Sequence, residues 1–179
     1  MKKDKLAVFS RRIDWLSAKV GFGVSLLLLF LIAVILYGSF KRYIVKDMPS
    51  WAYEVSIFLY GTIAFAGGSY CLLKGKHVCV DIFKNKLSAK VSRTLEIIFN
   101  LTALVCMSYV MYYAGIWAFE STMILERSEH QTTFNPQIWW FKWIVVLSIF
   151  AVILQFVSEM IKLVRGEVPR ETPAGDSQG

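Results

Sequence analysis

An all-α integral membrane protein with four transmembrane helices is predicted by three features of the sequence. The 179 residues are 56% hydrophobic and only 18% charged, whereas a soluble domain carries about a quarter charged residues. The apolar residues are gathered into four long blocks separated by polar stretches. Each block matches the roughly 20 residues that a helix needs to cross a bilayer core. One membrane domain over residues 1–165 is expected. Residues 166–179 (GEVPRETPAGDSQG) are polar and contain Pro and Gly, as in a disordered cytoplasmic tail.

The first block, residues 20–40 (VGFGVSLLLLFLIAVILYGSF), contains no charge. At 1.5 Å per residue it spans about 31 Å. It is too long for a signal-peptide core, and Tyr37, Gly38, Ser39, Phe40 and Lys41 offer no small-x-small cleavage site. An uncleaved helix follows. Before it, Leu6, Phe9, Ile13, Leu16 and Val20 recur at spacings of three and four, while Lys5, Arg11, Arg12 and Lys19 fill the other faces. That pattern predicts a basic amphipathic helix over 5–19 lying in the membrane surface, with Trp15 as a lipid-interface anchor.

The second block covers residues 51–73. Pro49 and Ser50 suit a helix start and Gly75 a helix stop. Gly61, Ala64, Ala66, Gly67, Gly68 and Ser69 crowd its middle. Small residues let helix backbones approach closely, so this helix is expected to pack against protein on at least one side. In the polar stretch that follows, Val80, Phe83, Leu87 and Val91 share one face while Lys84, Lys86 and Lys90 lie off it. A second surface helix over 81–91 is predicted, with Asp81 placed to cap its start.

The third and fourth transmembrane helices are expected at 95–119 and 139–163. Between them, Glu120, Glu126 and Glu129 face only Arg127. Pro136 precedes Trp139, Trp140 and Trp143, the composition of an aromatic belt at a helix entrance.

Orientation follows from the basic residues. Fifteen Lys and Arg fall in the N-terminal segment, the stretch after the second block and the C-terminal end; five (Lys41, Arg42, Lys46, Arg127 and Lys142) fall on the other side. The positive-inside rule then places both termini in the cytoplasm. The net charge of +7 is thereby assigned to a basic cytoplasmic side next to membrane lipids, and no basic patch interleaved with aromatics suggests nucleic acid.

The helices offer little chemistry. Ionisable groups deep in a membrane mark substrate or proton paths. Glu54, Glu96 and Glu159 fall near helix ends, and the residues further in (Thr62, Asn100, Thr102, Ser108, Ser148, Gln155) are neutral. A self-sufficient efflux carrier is disfavoured by the missing mid-membrane carboxylate. The two histidines, His77 and His130, are expected on opposite sides, about 30 Å apart, too far to share a haem. A membrane-anchor subunit of a redox enzyme, whose haem would then have a single histidine ligand, is the alternative reading. Three cysteines (Cys71, Cys79, Cys106) form no CxxC, and the run His77, Cys79, Asp81 is a weak metal pattern. No catalytic, substrate-binding or metal site is assigned, and no cofactor is called for.

Several landmarks then fall into a known order. Arg42-Tyr43 follows the first helix; Trp51-Ala52-Tyr53-Glu54 has the form W-x-x-E; Gly67-Gly68 lies within the second helix. Gly75-Lys76-His77-Val78-Cys79-Val80-Asp81 is similar to G-x-H-x-x-V-D, Leu87 and Arg93 follow, and Pro136 with Trp139 precedes the fourth helix. Over about residues 15–165 the chain resembles the small membrane (Q-type, DctQ-like) subunit of tripartite ATP-independent periplasmic (TRAP) transporters. It departs in the Gly38-Ser39-Phe40-Lys41 exit of the first helix and in Cys79. The resemblance implies a sodium-coupled secondary transporter in the bacterial inner membrane. A large multi-span M-type subunit carries organic acid and sodium, a periplasmic substrate-binding protein captures the substrate, and the small subunit braces the large one.

Partner-interface or structural roles are then expected for Arg42, Trp51, Glu54, Gly61, Gly67, Gly68, Gly75, His77, Asp81 and Pro136. Glu54 is either bound to a basic group (on the large subunit, or Arg42) or a helix-start charge favoured by the dipole. Arg42 has a lipid phosphate as its other candidate partner. His77 and Asp81 either lock the cytoplasmic turn or are solvated. The loop 120–137 either touches the periplasmic protein or is a solvated acidic loop.

Overall fold

The computed structural model describes residues 2–47, 49–74, 89–128 and 134–165, with side chains described from residue 6 in the first helix and from residue 91 in the third. Gly75, His77, Asp81, His130, the tail 166–179 and all but the last residues of the expected helix 81–91 lie outside them.

Four helices are long and apolar enough to cross a membrane. They are α1 (Lys2–Phe40), α2 (Ser50–Leu73), α3 (Ala89–Met123) and α4 (Trp139–Arg165). The second and fourth begin within a residue of their expected starts. The other two run longer: α3 begins six residues earlier than expected and ends four later.

The first helix corrects the expected division at residue 19. The surface segment and the first span are one unbroken helix of 39 residues, about 58 Å long. Two causes are visible. Gly21 and Gly23 do not break it, and Ser10, Ile13 and Ser17 are buried, so its first turns are held on α4. The apolar residues expected to form its buried stripe behave differently: Leu6, Phe9 and Leu16 are exposed, and of that set Ile13 turns inward. Beyond Phe40, α1 ends in a wider π-helical turn, Lys41–Val45, and the chain reverses through Lys46 in the left-handed region (φ 57°). Pro49, extended at φ −67°, ψ 118°, sets up α2.

The fourth helix is the hub. It packs against α1, α2 and α3, α1 also packs along α2, and among the described helices α3 has its backbone close to α4 alone. Val145, Val146, Ile149, Val152 and Phe156 of α4 are buried. Val152 and Phe156 join Leu72 of α2, with Ala103, Leu104 and Met107 of α3 against them.

The small residues of α2 make this packing possible. A Cβ on Gly61 would lie 2.6 Å from Phe141 Cζ, and one on Gly68 would lie 3.3 Å from Val152 Cγ2, so both face α4. Gly67 faces α1, 3.8 Å from Val24 Cγ1. At Gly61, Gly67 and Gly68 the protein that covers α2 is therefore this chain itself, while Ala64 is exposed. A tighter contact lies at Gly21 of α1, whose added Cβ would meet the ring of Tyr70 and stand 2.9 Å from its Cβ.

Candidate functional site

The described charged side chains that bridge helices gather at the two ends of the bundle. At the end bearing the chain's N-terminus, seven polar side chains join α1 to α4. Asp14 lies at the centre. Its Oδ1 accepts from Gln155 Nε2 (3.1 Å), Ser158 Oγ (2.9 Å) and Lys162 Nζ (3.0 Å), and its Oδ2 lies 2.9 Å from the same ammonium. Ser17 donates to Gln155 Oε1 (2.7 Å), and Ser10 and Ser158 share a hydrogen bond of 2.7 Å. Glu159 accepts from Lys162 (2.8 Å) and Gln155 (3.2 Å). Gln155 and Ser158 are 0% exposed, so their polar atoms depend on these partners, because an unpaired buried polar group is costly. Positions 10, 14 and 17 share one face of α1, and 155, 158, 159 and 162 one face of α4, by helical periodicity.

At the same end, Arg93 of α3 donates from Nη2 to the backbone oxygens of Leu163 (2.7 Å) and Val164 (3.3 Å). Those carbonyls belong to the last turn of α4, where intrahelical donors run out and a cation suits the dipole.

The opposite end is built around Lys142, nearly fully buried at the start of α4. Its ammonium donates to Glu126 and lies 3.9 Å from the centre of the Trp117 ring. This contact holds the Glu126 carboxyl below its ordinary value of 4.5. The segment after α3 folds back: Leu125 is left-handed (φ 47°), Ser128 N donates to Pro136 O (2.9 Å) and Ile138 N to Glu126 O (2.9 Å). Ser128 Oγ donates to Glu54 Oε1 (2.8 Å), and Glu54 is only 1% exposed. Trp143 Nε1 donates to Thr122 Oγ1 (2.9 Å), tying α4 to α3.

The expected residues thus divide. Glu54 and Pro136 join this cluster, Glu54 through its side chain and Pro136 through its carbonyl. The acidic stretch expected to face only Arg127 is opposed at Glu126 by Lys142. Gly61, Gly67 and Gly68 lie in intramolecular contacts. Arg42 lines a groove between α1 and α2 with Val34, Ile35, Gly38, Ser39, Ala52, Tyr53 and Ser56. Trp51 stacks at 5.6 Å on Tyr37. Trp15 is exposed under Lys19, 4.7 Å away, and Trp140 packs on Phe58 at 5.2 Å. Trp139 Nε1 donates to Gln137 (3.1 Å).

Sequence reasoning missed Asp14, Ser10, Ser17, Lys142 and Arg93 as bridging residues. The available signal was the i, i+4, i+7 spacing of Ser10, Asp14 and Ser17 opposite a helix carrying Gln155, Ser158 and Lys162. Chemically, both clusters pair donors with acceptors across helices. Among the described residues, no group of three or more His, Cys, Asp or Glu gathers to hold a metal. No curated protein and no solved structure matches the chain. Residues 31–166 match the family model of the DctQ component of the tripartite ATP-independent periplasmic transporters, and the chain belongs to that family as a small membrane subunit of a TRAP transporter.

Proposed function

We propose that this subunit braces the large membrane subunit of a sodium-coupled transporter for organic acids and carries neither substrate nor ion itself. The observation that carries this reading is the distribution of charge within the bundle. Between the cluster around Asp14 and the cluster around Lys142, α4 presents Val145, Val146, Ile149 and Val152 to its neighbours, and Gly61 and Gly68 of α2 close onto it. The buried hydroxyls in this stretch, Ser148 of α4 and Ser69 of α2, are spent on carbonyls of their own helices, so cargo crossing here would meet no ionisable group, where a carrier needs such groups at mid-depth. Bridges at both ends and close packing between suit a rigid support.

In this reading the subunit sits in the bacterial inner membrane with both termini in the cytoplasm, and the Asp14 cluster lies at the cytoplasmic end. Exposed Leu6, Phe9, Trp15 and Leu16 then contact lipid. Arg42 sits at the periplasmic surface for a lipid phosphate or the large subunit. The folded turn after α3 lies on the side where a periplasmic substrate-binding protein would dock.

Reconstitution into liposomes with an inward sodium gradient tests the proposal. The chain alone is expected to give no uptake of organic acid, and the complete set of subunits with the binding protein is expected to give uptake. Gradient-driven uptake by this chain alone would refute it.

A further inference from the structure

The seam between α1 and α2 is filled unevenly. Tyr37 and Trp51 stack across it at 5.6 Å. Their sequence neighbours Gly38 and Ala52 instead floor a groove of about 200 Å³. A Cβ on Gly38 would lie 3.6 Å from the Ala52 Cβ, and Ala52 is buried, so the two backbones are close and the space lies above them. Val34 and Ile35 line the groove at one end and Arg42 at the other.

Depth sorts these residues by chemistry. The charge-free run 20–40 of α1 rises about 31 Å, the thickness of a bilayer core. Phe40 therefore stands at the edge of the hydrocarbon and Arg42 among the headgroups, whichever way the chain is inserted. Val34 lies about 12 Å deeper. The groove thus passes from a cation at phosphate level, through the Ser39 hydroxyl, to bare hydrocarbon. Its breadth is equally telling. Spread over that depth, 200 Å³ gives a mean cross-section of about 17 Å², enough for one acyl chain and far short of a helix about 10–12 Å across. The polar groups at its outer end are uncommitted. Arg42 is exposed and has no ion-pair partner among the described residues, Glu54 being engaged by Ser128 instead. Ser39 makes no hydrogen bond among them either, whereas Ser56 on the α2 side donates to Ala52 O (2.7 Å). The turn after α1 carries Lys41, Arg42 and Lys46 against Asp47 alone, a positive field that complements a phosphate.

From this gradient we infer that the groove binds one phospholipid, its phosphate held by Arg42 and the upper part of one acyl chain lying against Val34 and Ile35. Ser39 donates to the ester level between them. The inference assigns Arg42 to a lipid phosphate over the large subunit, and it stands whether or not the subunit braces a partner. A phospholipid of net negative charge is preferred over a zwitterionic one, whose own ammonium competes with the guanidinium for the phosphate.

Native mass spectrometry of the full chain, purified in detergent with phosphatidylglycerol added, tests it. One retained lipid per chain is expected. Arg42→Gln should lower the retained fraction roughly tenfold, as for the loss of one charge-assisted contact, and Ser39→Leu, which fills the groove from its rim, should lower it comparably. Lys46→Gln removes a cation from the same turn outside the groove and should leave retention unchanged. Excess inorganic phosphate should not displace the lipid. Absence of a lipid on the wild-type chain would overturn the proposal, as would full retention by Arg42→Gln or by Ser39→Leu. An equal loss in Lys46→Gln would reduce the effect to diffuse surface charge, and displacement by inorganic phosphate would make the site one for the free anion; either result overturns it. In the assembled transporter, benzophenone at position 35 is expected to cross-link to phospholipid. Adducts to the large subunit in place of lipid would give the groove to that partner and defeat the inference, while the liposome uptake assay would still decide the bracing role.

Discussion

Replacing Asp14 by alanine removes the acceptor at the centre of the α1–α4 cluster without weakening the helix itself, since alanine has the higher helix propensity. Three side chains lose their bonds to it: Gln155, Ser158 and Lys162. Charge-assisted hydrogen bonds contribute about 1.5–3 kcal/mol each, so three lost outright would cost about 5–9 kcal/mol. Each donor keeps a second acceptor, however. Ser158 retains Ser10, while Gln155 and Lys162 retain Glu159. The Asp14 and Lys162 side chains are also 25% and 19% exposed, which admits screening. The expected net loss is therefore about 2–3 kcal/mol, at the upper end for interhelical polar contacts in membranes. For a chain of this size that lowers Tm by roughly 5–10 °C. Thermal unfolding of the detergent-solubilised protein measures it, and trypsin cleavage at Arg11 and Arg12 reports whether the first turns of α1 leave α4. Asp14→Asn, which keeps one acceptor oxygen without the charge, is expected to fall between wild type and alanine. An Asp14→Ala variant with unchanged Tm and unchanged cleavage would refute the view that this carboxylate holds the two helices together.

Gly21→Ala forces a Cβ into the Tyr70 side chain and is expected to cost about 1–3 kcal/mol, whereas Gly23→Ala, which meets nothing within 4 Å, is expected to be neutral or stabilising by about 0.5–1 kcal/mol; parallel melting curves compare them. Acid titration bears on the other end. Because the folded Glu126 carboxyl is held below 4.5 by Lys142, its contribution is complete above that pH and is lost as pH falls through the lowered folded value. The loss should shrink in Lys142→Met when unfolding is followed from pH 7 downward. Arg93→Ala uncovers the last carbonyls of α4, and faster amide exchange confined to that end of the bundle, with a loss of about 1 kcal/mol, is expected.

Most of the helical framework was legible in the sequence. Block length located the four helices, because the bilayer imposes a minimum apolar run whatever the neighbours are. Small residues in α2 announced a close approach, and Gly61 and Gly68 make it. Legibility failed where an outcome depended on which helix stands opposite. The apolar stripe of residues 6–20 suggested a separate surface helix, yet Ser10, Asp14 and Ser17 turned the first part of α1 onto α4. Lys142, counted as a surface charge, is buried against Trp117 and Glu126. Such partners lie outside a residue's own neighbourhood in the chain: Asp14 binds Lys162 and Glu54 binds Ser128 across long separations.

What the chain determined by itself is a set of four apolar helices, since transfer of a continuous hydrophobic run into lipid is a local property of that run. The tertiary structure alone decided that α4 is the hub, that polar side chains join the bundle at its two ends, and that Gly61 and Gly68 of α2 close onto α4. Those outcomes are set by pairwise geometry, because a buried donor is tolerable only where another helix brings an acceptor within reach.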